Sequence, residues 1–184
     1  MKSLFSALLI FVSINCFSQP AIDWQKVYGG SSNEFPYKII RTNDSGFLIG
    51  GFSRSDSSFD KSENSRGDQD YWLLKIDSSG IVQWDKTYGG NRTDYFFTLE
   101  QTFDGGYIVG GESQSDTSGD KTDYNRGIST WDYRILKIDA LGNLEWQKDY
   151  GGWDDDFFCS IKQTRDSGYI AAGTSCLIFS IEKA

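Results

Sequence analysis

The chain has no histidine, two prolines, one methionine and three cysteines among its 184 residues. Without histidine there is no Ser-His-Asp or Cys-His nucleophile and no imidazole-ligated metal centre. Basic residues are also short, 18 against 26 acidic, for a formal charge of −8. A phosphate-backbone partner needs a basic face, so nucleic acid is not an expected ligand. Nor is there a long hydrophobic run: the longest apolar stretch, Leu4 to Val12, falls short of the roughly 20 residues that span a bilayer. In contrast, aromatics make up 16% of the chain and there are 20 glycines, both above ordinary usage.

The first 18 residues, MKSLFSALLIFVSINCFS, set Lys2 before the apolar stretch and small residues after it. That order reads as a secretory signal, with cleavage after Ser18 leaving Gln19 first. Cys16 would serve a lipoprotein, but Ile14 and Asn15 before it make a poor lipobox. A buried N-terminal helix is the plainer alternative. Secretion, or residence in the periplasm or at the cell surface, is therefore expected. Cys159 and Cys176 remain as an even pair, open to a disulfide in an oxidising compartment or to two free buried thiols.

The chain repeats itself about every 60 residues. WQKVYGG from Trp24 returns as WDKTYGG from Trp84 and WQKDYGG from Trp146. Asp44-Ser45-Gly46-Phe47 returns as Asp104-Gly105-Gly106-Tyr107 and Asp166-Ser167-Gly168-Tyr169. DYWLLKIDSSG from Asp70 returns as DYRILKIDALG from Asp132. All glycines but Gly105 and Gly119 fall at recurring positions, so the glycine excess is turn and close-approach chemistry multiplied by a repeat.

Each unit reads as four strands. The first runs Tyr37–Thr42 or Phe96–Thr102 and ends in the D-x-G turn; GFLIGG or GYIVGG follows as the second. After a polar loop comes YWLLKID or YRILKID, whose alternation at Leu74-Lys75-Ile76-Asp77 predicts a half-buried strand. Asp and Gly turn residues then lead to IVQWDKTY or NLEWQKDY. No helical stripe competes. The expected fold is all-β, built from four-stranded antiparallel propeller-type blades. Its units are about 31–90, 91–152 and an incomplete 153–184, with 22–30 as a lone fourth strand.

The pattern W-x-K-x-Y-G-G, D-x-G-[FY]-[IL]-x-x-G and D-Y-x-[LI]-L-K-[IL]-D-x-x-G resembles the bacterial β-propeller repeats of the SBBP type, over residues 22–184. The resemblance implies a propeller fold and an extracellular or cell-envelope setting, without implying an activity. Proteins of that type often end in a type IX secretion sorting domain, and none is visible here.

The sharpest metal candidates are the paired D-x-S-x-D loops, Asp56, Ser58 and Asp60 with Asp116, Ser118 and Asp120. Alternating oxygens open a calcium loop, but the position-six glycine and position-twelve glutamate of an EF-hand are missing. Solvated turns are the simpler reading, so no cofactor is expected beyond calcium as a candidate. Asp154-Asp155-Asp156 follows the third YGG, and only its last position is acidic in every unit, which suits a turn cap. Trp24, Trp84 and Trp146 recur on strand four, suited to packing between blades or to stacking on a sugar.

The function expected is a secreted, non-catalytic scaffold or binding module, with glycan or protein partners at the cell surface. The alternatives are a carbohydrate-active hydrolase using Asp or Glu and a remnant of a longer propeller. Three blades are too few for a ring of four to eight. Either a curled three-sheet monomer or remnant results, or two chains close head to tail into six blades.

Overall fold

A computed structural model describes residues 21–175 and 181–183. The predicted signal segment and Cys176 lie outside the described residues. The described chain is all-β, with no helix and hence none that could cross a membrane. Eleven strands follow one another as β1 (Glu34–Arg41), β2 (Phe47–Ser53), β3 (Asp70–Ile76), β4 (Val82–Tyr88), β5 (Asp94–Gln101), β6 (Tyr107–Ser113), β7 (Asp132–Ile138), β8 (Leu144–Tyr150), β9 (Asp156–Gln163), β10 (Tyr169–Ser175) and β11 (Ile181–Lys183). They form two four-stranded antiparallel meanders, β1-β2-β3-β4 and β5-β6-β7-β8, and a three-stranded sheet, β9-β10-β11. The four-strand reading of the repeat holds for the two complete units.

Turn chemistry fixes the register. The Asp44 carboxylate accepts from Gly46 N and Thr42 Oγ1, and Asp104 does the same with Gly106 and Thr102. The residue between lies in the left-handed region, with φ of 68° at Ser45 and 87° at Gly105. Gly119 (φ 62°) likewise answers Phe59 (φ 51°) in the polar loop. Thus the two glycines outside the recurring pattern sit where the other units force a side chain into a conformation that glycine adopts freely.

The three sheets stack in an arc. The first and second enclose a core in which Leu48, Tyr71 and Leu73 meet Phe96, Leu99 and Leu136. Ile108, Tyr133 and Ile135 close on Phe158, Ile161 and Tyr169 between the second and third. Burying each such aliphatic side chain is worth about 1.5–3 kcal/mol. β5 packs on β1, β2 and β3, and β9 on β5, β6 and β7; no strand of the first sheet contacts one of the third.

Packing overturns one expectation, through sheets on both sides of β7 and through Tyr28, Phe47 and Ile49 on the outer side of β3. β3 and β7 are buried on both faces, not half-buried as their alternation predicts. Lys75 is 2% exposed because its ammonium donates to the Asp44 carboxylate (2.7 Å) and Gln83 Oε1 (2.8 Å), which offsets its desolvation. Lys137 is held the same way by Asp104 and Glu145.

Residues 21–30 form no β-ladder, although the repeat places a fourth strand there. They still make the contacts of one. Trp24 Nε1 donates to Ser78 O as Trp84 Nε1 does to Ala140 O, and Tyr28 OH donates to Gly80 O as Tyr88 OH does to Gly142 O.

Candidate functional site

The first two sheets each have a loop end, carrying the YGG segments and polar loops, and a turn end, carrying the D-x-G and D-x-x-G turns; the third shares only the YGG segment and the D-x-G turn. The recurring polar residues of the loop end hold the sheets together. Asp60 N donates to Gly29 O, and its carboxylate accepts from Gly29 N; Asp120 repeats both bonds with Gly89. Ser58 Oγ accepts from Ser31 N and Ser118 Oγ from Asn91 N, while each hydroxyl donates to the Asp56 or Asp116 carbonyl. The D-x-S-x-D loops therefore reach back to the YGG segment of the preceding unit. Asp56 and Asp116 are exposed. Among the described residues no three His, Cys, Asp or Glu side chains gather as a metal site.

Asp156 Oδ2 accepts from Gly152 N (2.6 Å) and Asp94 Oδ2 from Gly90 N (2.8 Å), so the recurring acid after YGG is a turn cap. Asp155 Oδ1 accepts from Trp131 N, and Asp154 is exposed. Cys159 is exposed on β9 and free, and its proposed pairing falls on Cys176, outside the described residues.

Sequence reasoning missed the centre of the loop end. Arg134 on β7 is fully buried, 3.0 Å from Asp94 Oδ1 and also paired with Asp120, which meets Arg66 of the preceding loop at 3.2 Å. Its guanidinium lies over the Tyr71 ring, 5.7 Å from the centroid, and Tyr71 OH donates to Arg134 O. Burial works against its charge, but Asp94 and Asp120 more than offset this and hold its pKa above the ordinary value. Burial pushes the Asp120 carboxyl up despite both arginines. It pushes Asp149, paired with the buried Lys121, up to about 6. These charges neutralise one another out of solvent. The arrangement is a fastener between sheets, with Arg134 and Asp94 fully buried and only Arg66 and Asp120 reaching a surface pocket. The one signal in the sequence was the change from Trp72 to Arg134 at one repeat position; Trp72 Nε1 instead donates to Asp85.

The turn end is open. Between the first and second sheets lies a cleft of about 470 Å³ whose lining includes Trp84, Tyr107, Gln83, Gln101, Asn43 and Asp44. The Trp84 and Tyr107 rings stand 6.3 Å apart at 60°, half-burying the indole that sequence assigned either to packing or to a sugar. Gln101 Oε1 accepts from Asn43 N, and Gln101 Nε2 donates to Gly105 O. The hydrogen bond from Lys75 holds the Asp44 carboxyl at about 2, with help from Thr42, so it is ionised across the physiological range. Tyr107 is 2% exposed and backs the Trp84 ring, so the half-exposed indole with the fixed amide and carboxylate oxygens is what suits a polyhydroxylated ligand.

No protein-family profile and no curated protein matches the chain.

Proposed function

We propose that this chain is an exported, non-catalytic β-propeller repeat protein of the SBBP type, a binding module at the cell envelope or outside the cell. Its ligand is a glycan seated in the turn-end cleft. The observation that carries this reading is the division of labour between the ends. At the loop end Arg134, Asp94, Asp120 and Asp60 are committed to holding sheets together. At the turn end Trp84, Tyr107 and Gln101 border an open cleft. The three repeated motifs carry the family resemblance, and the N-terminal Lys2 and apolar segment carry the export.

A glycan array probed with the purified chain, beside an assay on chromogenic glycosides, tests the reading. Binding without turnover is expected, with affinity reduced at least tenfold in Gln101→Ala, which loses the amide but no core contact. Turnover would establish the hydrolase instead. Absence of binding to any glycan would remove the ligand class.

A further inference from the structure

Every sheet has a front face, toward the sheet before it in the chain, and a back face toward the next. The two internal junctions are built alike. Phe96 of the second sheet lies over Gly50 of the first, and Phe158 of the third over Gly110 of the second; a β-carbon on either glycine would collide with the ring. Leu48 and Ile108, beside those glycines on the back faces, are fully buried. Leu99 and Ile161, beside the rings on the front faces, are each 2% exposed.

The outermost faces lack these partners. On the front of the first sheet Ile39, the counterpart of Leu99 and Ile161, is 59% exposed. On the back of the third sheet Ile170, the counterpart of Leu48 and Ile108, is 42% exposed. A cavity of about 300 Å³ opens on that front face, lined by Gly51, Trp72, Leu74 and Tyr28 among others. The matching places at Gly111 and Gly173 are filled by Tyr71 and Tyr133 from the sheet in front.

The residues that differ at the two free faces differ together. Pro36 stands where the internal front faces carry Phe96 and Phe158, and Ala172 where the back faces carry Gly50 and Gly110. The knob is smaller where the floor is higher. A phenyl ring over Ala172 would clash, and a proline over glycine would leave a gap, so the free faces fit each other better than they fit the internal ones. The polar atoms match the second junction only in part, since the first carries Phe52 where the second carries Glu112. Phe158 N donates to Glu112 Oε1, whereas Pro36 has no N–H and the third sheet has Thr174 in place of the glutamate.

Residues 24–28 supply the remaining piece. They contact the first sheet as β4 contacts the second, but no third strand pairs with them. Among the described residues, the third sheet ends at β11 with no fourth strand beside it.

We infer that two copies of this chain close head to tail into a ring of six sheets. The back of each third sheet seats on the front of the other copy's first sheet, and each segment 24–28 completes the other's third sheet. The β7–β8 register, Ile135↔Lys148, Leu136↔Gln147 and Lys137↔Trp146, maps onto Ile181↔Lys26, Glu182↔Gln25 and Lys183↔Trp24 across the copies. Both junctions are the same heterologous contact, and the closed ring leaves neither outermost apolar face unpaired. The inference stands on the sheet faces, so a cleft that binds no glycan would leave it intact.

Native mass spectrometry and sedimentation velocity on the chain lacking residues 1–18 test it. A dimer is expected at micromolar concentration. Pro36→Phe should weaken it at least tenfold, and Pro36→Phe with Ala172→Gly should restore it, because the pair recreates the internal junction. Pro36 and Ala172 are both exposed within one chain, so an unchanged melting curve of the dissociated variant shows that the fold survives. A wild-type monomer, a series of larger oligomers, or a Pro36→Phe protein that dimerises like wild type would each overturn the ring.

Discussion

At the residue scale, the largest stakes lie in buried charge. Arg134 neutralises Asp94 and Asp120 from a site with no solvent access, so losing it would leave Asp94 buried without its cation and Asp120 with Arg66 alone. Arg134→Met should cost about 3–5 kcal/mol in urea denaturation, the range for breaking a buried pair from one side. Glu112 gives a pH signature. It is 5% exposed, and burial pushes its carboxyl up to about 7 from an ordinary 4.5, against the opposing bond from Phe158 N. The folded chain therefore keeps a proton that the unfolded chain releases, and this group's contribution falls as pH rises through that window. Glu112→Gln keeps the acceptor for Phe158 N. It should match wild type near pH 4 and exceed it by about 3 kcal/mol at pH 8 in chemical melts, the shift from 4.5 to about 7 converted at 1.36 kcal/mol per unit. Arg134 was hidden from sequence reasoning because its partners Asp94 and Asp120 lie 40 and 14 residues away. Neither the spacing nor a recurring motif joins them.

At the scale of the element, the strands were legible because three imperfect copies vote on one pattern. Where Asp-x-Gly recurs with apolar alternation on both sides, a tight antiparallel turn is the economical reading, and β1–β2, β5–β6 and β9–β10 follow it. The first strand begins at Glu34 and not Tyr37, since its acidic residue also belongs to the ladder, pairing with Ser53. The burial of β3 and β7 was not legible: alternation reports chemistry along one strand, while the cover of the other face is tertiary, a neighbouring sheet for β7 and Tyr28, Phe47 and Ile49 for the outer side of β3. The polar loops were readable as loops, but their attachment to the preceding unit is a tertiary fact. Gly110 shows the same limit. Its position recurs in sequence as Gly50 and Ala172, which leaves the need for glycine unexplained until the Phe158 ring is seen against it. Gly110→Ala should destabilise by about 1–3 kcal/mol in denaturant melts, the cost of overpacking, although alanine is native at the third copy.

At the scale of the whole molecule, the repeat explains both what is closed and what is open. Two junctions of one design bury the interior, and the same design, with Pro36 and Ala172 in place of Phe and Gly, is displayed unpaired at the two ends of the arc. Sequence alone left a remnant of a longer propeller, a curled three-sheet monomer and a six-sheet ring of two chains as alternatives. The faces and the matched exchange at positions 36 and 172 favour the ring, which would also order residues 24–28 as a true fourth strand. Hydrogen–deuterium exchange over residues 22–30 tests that claim most directly. A closed ring predicts amides of this segment protected like those of β4, with protection lost on dilution below the dimer's dissociation constant; exchange as fast as an open coil at every concentration would contradict it.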